Sequence, residues 1–181
     1  MPATEAIVKT TWAIDPAHSE IQFKVKHLVI TTITGNFTQF SGWVHSGEHF
    51  EDAQIHFEAN VASVSTNSEQ RDAHLKSQDF FEAEKFPTLN FTSTRFESKD
   101  DSTFDLEGNL TIKGVTKKIR FVVDYAGTAK DPWGNTKAGF ELKGKINRKD
   151  FGLNWNAITE AGGALVSEEV KLIANIQLIK Q

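Results

Sequence analysis

Apolar and polar residues alternate along most of this chain, the period-2 pattern of strands that bury one face and wet the other. In EIQFKVKHL, Ile21, Phe23 and Val25 fall on one face, with Gln22, Lys24 and Lys26 on the other; AQIHFEANV repeats the pattern with Ile55, Phe57, Ala59 and Val61. In FDLEGNLTIKG the apolar face carries Phe104, Leu106, Gly108, Leu110 and Ile112, and in KIRFVVDYAG it carries Ile119, Phe121, Val123 and Tyr125. The KGVTK segment between these two runs supplies a tight reversal and predicts a hairpin. After a DPWGN turn, Phe140, Leu142, Gly144 and Ile146 alternate again, and EEVKLIANIQLIK turns Val170, Leu172, Ala174, Ile176 and Leu178 inward.

This pattern predicts an all-β chain of about eight or more antiparallel strands. Runs of about twelve residues span roughly 40 Å, longer than ordinary strands, and predict a tall barrel or sandwich. An eight-stranded barrel is filled by its side chains or holds one small ligand, so a tall one has room for a long, thin molecule.

One stretch breaks the alternation. SEQRDAHLKSQDFF, Ser68 to Phe81, predicts one short helix, with Asn67 or Ser68 capping its first turn and Asp72 and Lys76 spaced for an i, i+4 pair. Leu75, Phe80 and Phe81 give it an apolar end, and Pro87 stops helical structure before the next strand. A helix this short needs packing against the sheet, which places it over an open end or a seam of the barrel.

The length of 181 residues suits one domain, expected over 11–181 after an N-terminal tail over 1–10. No apolar run approaches the roughly 20 residues of a membrane span, and the first residues lack the apolar core of a secretion signal. A cytoplasmic protein without stable membrane insertion is the expectation. There is no cysteine, which excludes disulfides and thiol chemistry. A net charge of −4 without a basic cluster makes nucleic acid an unexpected partner. Fourteen Phe against one Tyr suit a dry interior, either a packed core or an apolar pocket.

The histidines invite chemistry that their spacing does not favour. Asp15, His18 and Ser19 in DPAHS supply the residue types of a catalytic triad, but so short a segment rarely aligns all three, and side chains bonded to backbone in a turn are the favoured reading. His45 and His49 could face each other across a turn in HSGEHFEDAQIH, with His56 nearby, yet exposed turn histidines are commonly polar surface. His27 continues the inward face of Ile21, Phe23 and Val25. No catalytic residue, metal ligand or cofactor is assigned.

Five segments in order, DPAHSEIQFKVKH, GNFTQFSG, RDAHLKSQDFFEAEKFP, GNLTIKGVTKKIRF and INRKDFGLNW, resemble the YceI-like family, and the match runs from about Thr11 to the C-terminus. The resemblance implies an elongated, lipocalin-like antiparallel β-barrel, commonly a homodimer, whose hydrophobic interior binds a polyisoprenoid, an isoprenoid quinone or another long-chain lipid. Many members are periplasmic, whereas no signal peptide is recognised here. With the inward faces above, the candidate lining is Phe23, Val25, Phe37, Phe40, Leu75, Phe80, Phe91, Leu106, Leu110, Phe121, Phe140 and Leu142. Arg71, His74 and Arg148 are candidate headgroup contacts, each with a structural ion pair as the plainer alternative. The rivals are an enzyme on a lipophilic substrate with His18, His27 or His74 as acid–base, and a solid-cored structural dimer.

Overall fold

The computed structural model describes residues 9–157 and 165–181. Most of the expected 1–10 tail lies outside the described residues, and Thr10 already belongs to the first strand. Eleven strands and one α-helix follow in order: β1 (Thr10–Ile14), β2 (Glu20–His27), β3 (Thr31–Phe37), β4 (Phe40–Ser46), β5 (Gln54–Asn60), β6 (Val64–Ser65), α1 (Glu69–Lys76), β7 (Thr88–Ser98), β8 (Thr103–Ile112), β9 (Val115–Lys130), β10 (Thr136–Asn147) and β11 (Val166–Lys180). At 16 residues β9 is the longest, so the wall is tall as the alternation predicts.

All strand pairs are antiparallel, in the order β1-β4-β5-β7-β8-β9-β10-β11, and a β1–β11 pairing closes these eight into a ring. β11 has three partners. Glu169 to Ile179 run beside β10, its end pairs with β1 (Ile14↔Leu178), and its first two thirds pair with β2 (Val170↔Val25, Asn175↔Glu20). β1 and β2 are thus successive lengths of one wall, broken by a turn at Asp15–Ser19, and β2 continues outward into β3 and the two-residue β6. The helix α1 packs beside β6, where this flap ends.

Inward residues hold the core together. Leu106, Leu110, Val123, Phe140 and Leu178 are buried, and their faces match the alternation. On β7 and β9 a ring lies against the neighbouring strand where that strand has no side chain: a Cβ at Gly108 would stand 2.4 Å from the Phe91 ring, and one at Gly144 2.8 Å from that of Phe121. Only glycine permits so close an approach, and the consequence is that both rings occupy wall rather than bore.

The break between β1 and β2 is tied by charge. Asp15 accepts from the backbone of Ala17 at 3.1 Å, from Lys137 Nζ at 2.8 Å, and faces His18 Nδ1 at 2.8 Å. These donors, Lys137 foremost, hold the Asp15 pKa down from 3.8 to about 2. A carboxylate whose folded pKa is depressed stabilises the fold above its unfolded value, and that contribution fades as pH falls from about 4 towards 2. Comparing Asp15→Asn with the wild type in urea should therefore show a deficit of about 1–2 kcal/mol near neutrality that shrinks to nothing below pH ~2. A pH-independent deficit would contradict this.

Candidate functional site

The interior of the barrel is a cavity of about 550 Å³. Its wall is almost wholly apolar and draws on every long strand, with Phe23, Val25, Phe37, Phe91, Leu106, Leu110, Phe121, Phe140 and Leu142 on it and Leu75 and Phe80 reaching in from α1 and the turn after it. The structure brings eleven of the twelve candidate lining residues together at this cavity. Phe40 is the exception. It shares a face with Ala59, whose position opposite it is completely buried, and packs against Phe57 with ring centroids 6.1 Å apart, so it backs the wall without reaching the bore.

Polar groups gather mainly at one end. The pairings place the β2–β3 turn, the β8–β9 turn, α1 and the β10–β11 connection at that end, and the cavity there meets His27, Thr31, Thr66, Arg71, His74, Arg148 and Trp155. The helix that covers it is shorter than its sequence suggests. Ser68 caps it, its hydroxyl accepting from the Arg71 amide, and α1 stops at Lys76; Ser77 to Phe81 turn back instead, with the Phe81 amide donating to the Leu75 carbonyl at 2.9 Å. The expected Asp72–Lys76 pair does not form. Asp72 accepts from the Thr66 amide at 2.8 Å and its hydroxyl at 2.6 Å, which ties the start of the helix to the segment after β6.

The three candidate headgroup residues divide. Arg71 donates through Nε to the Thr66 hydroxyl at 2.7 Å and through Nη2 to the Thr66 carbonyl, and is half-buried at the cavity. His74 faces Asp79 at 2.8 Å and stands edge-on to the rings of Trp155 and Phe80, at 4.6 and 5.1 Å. Arg148 is only 3% exposed and spends its donors on the chain itself: Nε on the carbonyl of Ser167 at 2.8 Å, Nη1 on those of Leu153 at 2.6 Å and Trp155 at 2.7 Å, and Nη2 on Val166 at 3.2 Å. Burial lowers its pKa from the ordinary arginine value, opposed by Glu168. It serves as an internal brace for the β10–β11 connection, bonded to carbonyls rather than to a carboxylate or a helix end.

The other polar candidates are placed as follows. Ser19 is committed to β11, accepting from the Gln177 amide at 2.9 Å and donating to its carbonyl, so Asp15 and His18 pair without it. His45 bonds Thr11 at 2.9 Å and packs at a tilt on Trp43 with centroids 4.2 Å apart, while His56 reaches Thr92. Among the described residues no three His, Asp or Glu side chains cluster as a metal site. His27 lies on the cavity at its polar end. Trp155 and Thr66 were invisible to strand periodicity because both sit in irregular connections; the tryptophan of INRKDFGLNW, just past the arginine, was the available signal.

Comparison with known proteins bears on this geometry. The family model described as YceI-like domain matches residues 12–178. Protein YceI of Salmonella newport is 37% identical over 181 residues, which cover 98% of this chain and 91% of that protein. The crystal structure of a Campylobacter jejuni YceI protein superposes with a TM-score of 0.74 at 34% identity, covering 92% of this chain and 96% of that one. A domain from Saccharophagus degradans described as polyisoprenoid binding has the same fold, with a TM-score of 0.67 at 15% identity over 94% of this chain and 98% of its own.

Proposed function

The chain belongs to the YceI-like domain family, and on that premise we propose that it binds a long-chain apolar lipid, a polyisoprenoid, isoprenoid quinone or fatty acyl chain, inside the barrel and carries or sequesters it without chemistry. The observation that carries this reading is the cavity of about 550 Å³, apolar along its length and polar mainly at one end. A volume of this size is in the usual range for small-molecule sites, and a solid-cored protein would have filled it. Burial supplies about 0.8 kcal/mol per methylene, so a long chain needs no specific polar contact to be retained. Discrimination between chains differing by one methylene is correspondingly modest.

Chain and headgroup separate naturally along the bore. The tail occupies the aromatic depth, beside Phe91, Phe121, Leu142 and Leu172, and a polar head rests near Arg71. Arg71 keeps its second terminal nitrogen outside the bonds to Thr66, which suits it to this better than Arg148.

Mass spectrometry of an organic extract of the purified protein, against a mock-purified control, tests the reading. A near-stoichiometric apolar species is the expected result. An extract that remains empty after the protein has been incubated with membranes would overturn it.

A further inference from the structure

At the polar end of the barrel the β2–β3 turn presents three consecutive apolar residues to water. Val29 is 79% exposed, Ile30 77% and Leu28 39%. Large apolar residues exposed singly are unremarkable on a protein surface, but three in a row at a hairpin tip are not. The backbone there is also strained: Leu28 and Val29 have φ of 53° and 65°, the left-handed region that such a turn normally fills with Asn-Gly. A β-branched residue in that region is disfavoured, and here no burial of the side chain offsets the cost. Stability alone would not keep this sequence at this place.

The tip sits at the cavity. The Leu28 amide donates to the Leu165 carbonyl at 2.9 Å, His27 pairs with Val166, and His27, Thr31, Leu165 and Val166 all contribute to the cavity wall. About three residues below, on the outer surface, the register sets Lys24, Lys171 and Lys145 side by side across β2, β11 and β10. Among the described residues the neighbouring ion pairs join Lys143 to Glu141 and Lys149 to Glu168, and none engages Lys24, Lys26, Lys145 or Lys171. Glu169 on β11 offsets part of this charge, leaving the face positive on a protein whose net charge is −4.

We propose that this end of the barrel docks on an anionic lipid bilayer, with Leu28, Val29 and Ile30 entering the headgroup region and the lysine row facing the surface charge. The proposal rests on the lipid-binding reading and extends it to how the ligand arrives. A long chain passing through water would expose every methylene on the way, whereas a cavity end held against the membrane lets it enter without full hydration. An apolar wedge beside a basic face is the chemistry of peripheral membrane attachment.

The test is partition of the whole protein onto phosphatidylcholine vesicles with and without phosphatidylglycerol, at low and high salt. The wild type should bind the anionic vesicles and lose most of that binding in high salt. Leu28→Asn with Val29→Gly should reduce partition about tenfold or more, while its melting temperature is unchanged or raised because Asn-Gly relieves the strained turn. Wild-type partition by the double variant, or no partition by the wild type, would overturn the proposal. Light scattering covers the second occupant such a tip could have: if the variant changes oligomeric state but not vesicle binding, the tip is a contact between two copies and the proposal fails. Uptake of a detergent-solubilised fatty acid separates the two readings. It should be equal in wild type and variant; if neither takes it up, the lipid-binding reading fails while the vesicle result still decides docking.

Discussion

Replacing Arg148 with Met is expected to destabilise the fold by about 3–5 kcal/mol. The guanidinium is buried and bonded to four backbone carbonyls, of Leu153, Trp155, Val166 and Ser167, which converge from both sides of the β10–β11 connection. A methionine fills similar volume but removes the donors of the Leu153, Trp155 and Ser167 carbonyls and leaves Val166 only its bond from the Asn156 side-chain amide, and a buried carbonyl that loses its partner bears the full cost of desolvation. Arg148→Lys should recover only part, because an ammonium presents its donors from a single point and cannot span four carbonyls. Urea unfolding measures both. The effect should extend to the cavity, since Trp155 is held in place by one of those bonds and stands against His74 and Phe80. A Met variant within about 1 kcal/mol of wild type would mean that water replaces the donors and that the brace is dispensable.

The second large effect is on ligand retention. Ala174 lies midway along β11, between Ile21 of β2 and Leu142 of β10, and all three side chains face the cavity. Ala174→Trp would put an indole across the bore where there is open volume to receive it, so overpacking is avoided while the lipid is excluded from one side of the obstruction. Loss of contact with even four methylenes at ~0.8 kcal/mol each corresponds to more than about a hundredfold in affinity. The amount of extractable lipid per mole of protein should fall accordingly, with the melting temperature little changed. Asn175→Trp is the control, since that neighbour is exposed on the outer face and should leave retention intact. Full retention by Ala174→Trp would place the ligand elsewhere.

Period-2 alternation predicts the inward faces well because each strand has one face to solvent and one to the interior, and a register slip would expose every buried residue at once. That is why nine strand residues of the expected lining converge while Phe40 misses: alternation fixes the face of a residue but not how far it reaches, and Phe40 packs against Phe57 behind the cavity wall. The helix was foreseen but not its end. Leu75, Phe80 and Phe81 read as one apolar stripe, yet Ser77 accepts no further helical turn and the chain folds back through hydrogen bonds to the Leu75 and Lys76 carbonyls.

What sequence could not show is long-range. Arg148 in a list of residues is a cation seeking an anion; two of its carbonyl partners, Val166 and Ser167, reach it only when β10 and β11 have paired. The lysine row is likewise absent from the chain as written, since Lys24, Lys145 and Lys171 are far apart until the register of three strands aligns them. The β2–β3 turn escaped for the opposite reason. HLVITT carries none of the Gly, Asn or Pro that mark a reversal, so it reads as strand, and the turn is paid for by positive φ at Leu28 and Val29.

The three partnerships of β11 bear on when the barrel can form during synthesis. Residues 166–180 emerge from the ribosome after every other strand, and both the β1–β11 closure and the anchoring of β2 depend on them. Until then the nascent chain is an open, curled sheet whose apolar face, including the future wall of the cavity, is accessible along its whole length. Closure joins residues as distant as Trp12 and Lys180, a slow kind of contact to make. The interval between completing β10 and docking β11 is therefore the stage most exposed to aggregation, and also the one at which a lipid could be enclosed by folding around it rather than by entering through the finished end.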